Sequence, residues 1–373
     1  MIDLEFDEQQ VLLQQSARTF FASECPLSRV RELEHSELGY SPDLWKKMAA
    51  LDWAGLSLPK TQGGAGGSLL DLYVLYLELG RALVPSPHLG SSVIAAETLA
   101  RAGSAAQQRC LSQIASGDLI VSPALMEAEG DYGAEAVQLA AAPTAAGGHR
   151  LDGAKLLVPY AHVADQLLVL ARTGPAPDAT TLFLVKADKK GVDIEGLDNT
   201  AGYPLFAVRF DAVELSADAV VGAEGAGWET LKPALDRASV LQCAEIVGAG
   251  EAVLEMAIDY AKQREQFGQA IGKFQAVQYL CSDIAIDLHL SSLLARQAAW
   301  RVDEGLPHQV ELALANAQAS EAAQRMVRQA HEVFAGHGFM LETDLQLYTR
   351  RAKYWQYNLG EARYHFEAAV DAL

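Results

Sequence analysis

The sequence predicts an α+β protein in which a small β-domain is inserted between two helical parts. Apolar residues recur at helical spacing in the first and last thirds of the chain, whereas the middle third contains short Val-, Leu- and Phe-rich runs separated by Gly, Pro and Asp. We therefore expect three domains: an N-terminal helical domain (1–120), a middle β-sandwich or barrel (121–225) and a C-terminal antiparallel bundle of the four-helix type (226–373).

The N-terminal domain is predicted to begin with an amphipathic helix, whose apolar face is formed by Val11, Leu12, Ala17, Phe20 and Phe21. A second helix is expected to start with Ser41 as N-cap and Pro42 at the first helical position, since both residue types are favoured there. The segment SLLDLYVLYLELGRAL (68–83) is apolar nearly all round, which predicts a buried helix.

The C-terminal domain is dominated by long amphipathic segments. The first, from Trp228 to Phe267, is long enough for about ten turns, although Gly248 and Gly250 weaken its middle. Two further helical segments follow between residues 276 and 334. Three such helices predict an antiparallel bundle.

Composition narrows the possible functions. The 373 residues carry a formal net charge of -19 and a pI of about 4.8, which disfavours binding to nucleic acid or to an anionic membrane. We expect no membrane span and no secretory signal, and the four widely spaced cysteines favour a reducing cytoplasm over a disulfide framework. The nine histidines are scattered, so no metal site is predicted.

The segment YAKQREQFGQAIGKFQAVQYL (260–280) is a helix interrupted by Gly268 and Gly272. Arg264 stands at the end of the first helical run, and Gln275 stands at the beginning of the second. From these residues alone, two roles are possible for the Arg264 guanidinium. It is either a favourable cation in the last turn of a helix or a binding group for phosphate. The glycines permit left-handed backbone and close approach of a ligand.

This turn, RxxFGxxIGxFQ, resembles the flavin-binding turn of the acyl-CoA dehydrogenase family, and so do the block order and the segments ELGRAL, EGAGWETL, AGHGF and LYTRRAK elsewhere in the chain. The resemblance covers the whole chain and implies FAD as cofactor. It assigns FAD contacts to Arg264, Phe267, Ile271, Phe274 and Gln275. It also implies a second turn from a neighbouring subunit, here Glu332, Val333, Gly336 and Gly338, and therefore an oligomer.

The chain departs from the family pattern beside the expected flavin ring and phosphates. The segments LMEAEGDYGAE (125–135) and KLLVPY (155–160) put Leu157 where an aromatic is usual and Pro159 where a hydroxyl is usual. Glu332 stands in place of a glutamine, and a carboxylate there would repel diphosphate unless it is protonated or paired.

The resemblance implies oxidation of an acyl-CoA to the 2,3-enoyl-CoA, with electron transfer to an electron-transferring flavoprotein or to oxygen. The expected base is missing, because Leu359 precedes Gly360 and Ala238 occupies the second known base position. Glu245 and Glu361 are the candidate substitutes. For each, a structural role stays open: a side chain bonded within the bundle for Glu245, a surface residue for Glu361. Asp236, Arg237 and Ser239 are the expected substrate contacts.

Two alternatives to an independent enzyme remain. Some bacterial members resemble α2β2 assemblies in which one subunit keeps the base, and this chain has the features expected of the subunit without it. The other alternative is a non-catalytic acyl-CoA-binding protein with the same fold. The missing carboxylate favours both alternatives, whereas the Arg264–Gln275 turn favours a flavoprotein.

Overall fold

The computed structural model describes residues 4–128, 132–176 and 178–373. Its helices are α1 (Glu8–Glu24), α2 (Leu27–Glu34), α3 (Pro42–Ala50), α4 (Leu69–Arg81), α5 (Ala96–Ala102), α6 (Cys110–Ala115), α7 (Gly227–Gln263), α8 (Gln275–Asp303), α9 (Gln309–Phe334), α10 (Leu345–Tyr357) and α11 (Ala362–Asp371). A π-helical segment, Leu89–Ala95, leads directly into α5.

The strands are β1 (Val121–Ala124), β2 (Ala140–Pro143), β3 (His149–Pro159), β4 (Gln166–Arg172), β5 (Thr180–Lys186), β6 (Val192–Gly196), β7 (Leu205–Leu215), β8 (Val220–Val221), β9 (Glu265–Gln266) and β10 (Gln269–Ala270). The predicted order of helices, then strands, then helices is confirmed. The short strand β6 was not predicted from the sequence, because it contains no clear apolar run.

Eight strands form one sheet in the order β6-β7-β3-β2-β4-β5-β8, with β1 added parallel to β4. Apolar residues of β3 and β7 share one buried cluster with those of β4 and β5, so the two halves of the sheet enclose a common core. The pairing of β3 with β7 shifts register between Lys155 and Val158. This irregularity lies at the end of β3 that reaches the candidate site.

The helix α7 runs unbroken for 37 residues, as the predicted ten turns require. It packs directly on α4, which is buried along nearly its whole length. Two glycines make this contact possible, because a Cβ on Gly80 would lie 1.9 Å from the Glu245 carbonyl oxygen and one on Gly248 would lie 1.7 Å from the Leu77 carbonyl oxygen. Gly248 therefore serves helix packing and leaves no room for a ligand.

The helix α1 buries a different face from the predicted one. Ala17 and Phe21 are buried as expected, but Val11 and Leu12 are exposed. Gln10 takes the inner position instead, because it closes a capping box with Asp7 and donates a hydrogen bond to the Asp71 carboxylate.

None of the helices among the described residues is both long and apolar enough to cross a membrane. Those residues also contain no group of three or more His, Cys, Asp or Glu side chains that could hold a metal ion.

We expect Gly248→Ala to lower the free energy of unfolding by about 2 to 3 kcal/mol, because the added methyl group meets rigid backbone of α4. Gly250→Ala is the matched control on the same helix, since its nearest neighbours are the Sδ and Cε atoms of the flexible Met326 side chain. Its effect should stay within about 1 kcal/mol, as alanine also gains helix propensity. Urea denaturation measures both, and equal effects would contradict the proposed packing.

Candidate functional site

A cavity of about 590 Å³ lies where the N-terminal helices, the sheet and the C-terminal helices meet. It is lined by the π-helical segment, the ends of β1 and β3, the first turns of α7, the start of α9 and the segment from Tyr354 to Ala372. Its volume is in the range of small-molecule binding sites.

The loop between α10 and α11 presents Leu359 to this cavity. Gln242 and Asn358 hold the loop on α7, with Gln242 donating to the Asn358 carbonyl (2.9 Å) and Asn358 donating to the Gln242 side-chain oxygen (2.7 Å). Leu359 has a φ of 59°, a left-handed conformation that leucine rarely adopts. Gly360 is required, because its φ is 111° and a Cβ would lie 2.7 Å from the His365 Nε2 atom.

Neither predicted base lines the cavity. Glu245 lies behind it, with its carboxylate 3.8 Å from Arg351 Nη1. Burial raises the pKa of Glu245, and the Arg351 guanidinium only partly offsets that rise. Glu361 is the exposed residue that precedes α11.

Four carboxylates do line the described part of the cavity. Glu127 accepts hydrogen bonds from Lys155 Nζ (2.6 Å) and from the backbone N–H groups of Gln138 and Leu139, and Lys155 is fully buried. This pair ties the loop after β1 to β3. The other three carboxylates are Asp236, Glu367 and Asp371.

The predicted substrate contacts separate into two groups. Asp236 and Ser239 line the cavity. Gln309 donates to the Asp236 carboxylate over 3.2 Å, and His308 lies 3.4 Å from it. The Arg237 side chain points elsewhere and forms ion pairs with Glu97 (2.7 Å) and Asp303 (3.7 Å).

Where the end of β3 meets the cavity, the wall is apolar. Leu157 and Pro159 both line it, so the two departures seen in the sequence occur at the site itself. Leu157 is half exposed and has a φ of 54°, and Pro159 has no backbone N–H to donate. Of the segment 125–135, residues 129–131 lie outside the described part of the chain.

A second pocket forms at the far end of α7, where Arg264 and Ile271 of the first glycine turn meet Val333 and Gly336 of the second. The resemblance implies that these turns come from different subunits, but one chain brings them together. Because the consecutive helices α7, α8 and α9 are antiparallel, the C-terminal ends of α7 and α9 lie next to each other. The rings of Tyr260 and Phe334 stack there with centroids 4.3 Å apart.

The other predicted flavin contacts lie on the same turns but do not line this pocket. Phe267 is 93% exposed, with its ring edge-on to that of Phe274, so it is not a core residue. Glu332 is exposed as well. Gly338 is buried, since a Cβ there would lie 2.5 Å from the His331 ring. Gln275 is the first residue of α8.

Comparison with known proteins identifies the family. Residues 7–118 match the N-terminal domain of acyl-CoA dehydrogenases, and residues 225–369 match the C-terminal domain. The chain is 32% identical to acyl-CoA dehydrogenase FadE27 of Mycobacterium tuberculosis over 348 residues, which cover 91% of this chain and 90% of the relative. The chain belongs to the acyl-CoA dehydrogenase family.

Two solved structures of 30% identity share the fold over nearly their whole length. A ChsE4-ChsE5 complex from Mycobacterium tuberculosis has a TM-score of 0.91, with 99% of this chain and 98% of that chain covered. A Tcur3481-Tcur3483 steroid ACAD variant has a TM-score of 0.88, with 98% and 97% covered. Both are complexes of two different proteins. Acyl-CoA dehydrogenases are oxidoreductases that act on CH–CH bonds, and family members bind FAD.

The residues of the second pocket have the chemistry that the phosphates of such a cofactor require. The Arg264 side chain is exposed, and no described residue pairs with it. The N-cap residue of α8, Phe274, makes no side-chain cap, which leaves the N–H groups of Gln275 and Ala276 for an anion, whereas the Val277 N–H bonds to the Phe274 carbonyl (3.1 Å). At the cavity, by contrast, neither Leu157 nor Pro159 has a side-chain hydrogen-bond donor for the polar edge of a flavin ring, and Pro159 has no backbone N–H either.

The cavity also contains aromatic residues that sequence reasoning missed: Tyr132, Tyr160, Tyr203, Tyr354, Tyr364 and His365. They come from four separate parts of the chain, so no local sequence pattern could have indicated them together.

His365 should make stability depend on pH. Burial lowers its pKa from the usual 6.5 to about 4. The ring is neutral in both states above pH 6.5, whereas between pH 6.5 and 4 the unfolded chain binds the proton more tightly, so stability falls by roughly 3 kcal/mol. We expect the free energy of unfolding, measured by urea denaturation at pH 7 and at pH 4, to fall by about 3 kcal/mol less in His365→Gln than in the wild type. Identical losses would contradict this assignment.

Proposed function

We propose that this chain is the base-lacking subunit of a heteromeric acyl-CoA dehydrogenase and that it supplies the phosphate-binding part of a flavin site to a related subunit. One observation carries the proposal: the cavity loop that would need a carboxylate presents Leu359. Desaturation of an acyl-CoA requires a base for the α-proton, and FAD when bound supplies the hydride acceptor. A leucine side chain has no lone pair with which to take that proton.

Of the four carboxylates that line the described part of the cavity, Glu367 and Asp371 are exposed residues of α11, and the other two are already engaged by neighbouring groups. Glu127 is occupied by Lys155 and two backbone N–H groups. Asp236 is held by Gln309 and lies on α7 with Ser239, where we assign both to contacts with an acyl-CoA thioester. Arg237 supports them indirectly, since its ion pairs with Glu97 and Asp303 fix that part of α7 against neighbouring helices.

The second pocket gives the chain its role in the assembly. Arg264 can place a planar guanidinium against a diphosphate, where charge-assisted hydrogen bonds are strong. Ile271, Val333 and Gly336 form the surface around it, and an open space beside Gly336 allows close approach. We assign five further residues to the edge of this phosphate-binding pocket: Phe267, Phe274, Gln275, Glu332 and Gly338. The acceptor of the electrons is proposed to be an electron-transferring flavoprotein.

A second candidate function is a dehydrogenase that acts alone with Glu245 as base. The raised pKa of Glu245 favours it, because a carboxyl with such a pKa is a stronger base than an exposed one. The assembled complex separates the two functions. Under the first, Glu245→Gln and Glu361→Gln leave acyl-CoA turnover within about twofold. Loss of turnover in Glu245→Gln of the chain purified alone would favour the second.

The flavin role of Arg264 is tested in the complex formed with a related subunit by co-expression. Arg264→Met should raise the Kd for FAD by about tenfold or more, because a charge-assisted bond to phosphate is lost. Lys262→Met is the control, since it removes an exposed cation from the last turn of the same helix. Absorbance near 450 nm follows FAD binding. Equal Kd values for the two variants would contradict the role, and a complex that stays colourless with FAD would favour a non-catalytic acyl-CoA-binding protein.

A further inference from the structure

The wall of the cavity contains a buried serine whose hydroxyl has no hydrogen-bond partner. Ser86 lines the cavity, and only 8% of the residue is exposed. Among the described residues, none bonds to its hydroxyl. The Oγ atom of Ser92, in the same segment, is also unpartnered but is fully enclosed by protein. The Ser86 Oγ atom is not enclosed in this way, so its accessible surface opens into the cavity.

The position of Ser86 is fixed before any ligand binds. A proline stands on each side of it, and a residue that precedes a proline is confined to extended backbone. His88 anchors the segment, since its ring accepts a hydrogen bond from the Tyr76 hydroxyl (2.8 Å) and donates one to the Trp53 carbonyl (2.9 Å). A preorganised side chain of this kind loses little entropy on binding.

The cavity wall around Ser86 is apolar. The other lining residues of this segment are Pro87, Leu89, Gly90 and Ile94, and the last three lie in the π-helical segment, a type of structure that is frequent at functional sites. An apolar chain against this wall would displace water from Ser86 and leave its hydroxyl unbonded, which costs free energy. A chain that carries an oxygen atom at this position would restore the lost hydrogen bond.

A second unpartnered hydroxyl faces the same cavity from α7. Ser239 is 7% exposed and lines the cavity, and no described residue bonds to its side chain. The proposed function, on which this inference rests for the class of ligand, assigns Ser239 to the thioester. Ser86 belongs to a different element, so its hydroxyl is left for another polar group of the same ligand.

We propose that Ser86 is a specificity-determining residue that recognises an oxygen atom, carried as a hydroxyl or a keto group, on the acyl chain bound in the cavity. The serine hydroxyl donates a hydrogen bond to either group. The oxygen belongs to a neutral group, because none of the lining residues of this segment is charged and an unpaired buried charge is costly.

The test is calorimetric titration of the full chain with octanoyl-CoA and with its 5-hydroxy, 5-oxo, 7-hydroxy and 7-oxo derivatives, whose oxygen atoms lie beyond the carbons that react. The wild type should bind at least one oxygenated compound about fivefold more tightly than octanoyl-CoA, as expected for one hydrogen bond to a buried hydroxyl. A preference for keto compounds identifies a carbonyl as the recognised group, and a preference limited to hydroxy compounds identifies an alcohol.

Ser86→Ala should abolish this preference, because it removes the hydroxyl and leaves the backbone between the two prolines unchanged. Ser92→Ala is the matched control, since it removes a buried hydroxyl of the same segment that does not line the described part of the cavity. It should keep the preference.

Equal affinity of the wild type for all five compounds would overturn the inference and leave the proposed function intact, with Ser86 bonded to water only. A preference that persists in Ser86→Ala, or that Ser92→Ala also loses, would overturn it as well. Binding of none of the five compounds would remove both this inference and the assignment of Asp236 and Ser239 to the thioester. FAD binding at Arg264 is measured separately, so failure here is distinguishable from failure of the flavin role.

Discussion

Both sites depend on the direct backbone contact between α4 and α7. Gly80 and Gly248 let the two helices approach until carbonyl groups of each occupy the space where the other's side chains would be. This contact fixes the rotation of α7, which is about 55 Å long. Asp236 and Ser239 consequently face the cavity near its beginning, and Arg264 emerges at its end beside the second glycine turn.

Local signals in the sequence predicted the parts that local physics determines. The glycine spacing after Arg264, the cap at Ser41 and the apolar α4 segment each specify their structure within a few residues. Contacts between residues that are far apart in sequence could not be predicted from such local signals. Asp236 and Arg237 are adjacent in sequence but about 100° apart around the helix, so one reaches the cavity and the other reaches Glu97 and Asp303.

The loops around the cavity are held firmly by hydrogen bonds and an ion pair, whereas the position expected to carry the catalytic base is occupied by a leucine. Two hydrogen bonds between Gln242 and Asn358 fix the loop that carries Leu359, and the buried pair of Lys155 and Glu127 fixes the opposite wall. Leu359 retains a left-handed backbone, which costs energy and persists only where the surroundings impose it. A chain that had lost all ligand binding would have no need of this geometry. The proposed role, a subunit that binds without reacting, accounts for both features.

The central claim is that this chain and a related subunit together build one flavin site per pair of chains. Native mass spectrometry of the co-purified assembly counts the bound FAD directly. The account predicts one FAD for each pair, because it assigns the Arg264 pocket of this chain to the partner's flavin and assigns no flavin ring to the wall at Leu157 and Pro159. One FAD for every copy of this chain when it is purified alone would contradict it.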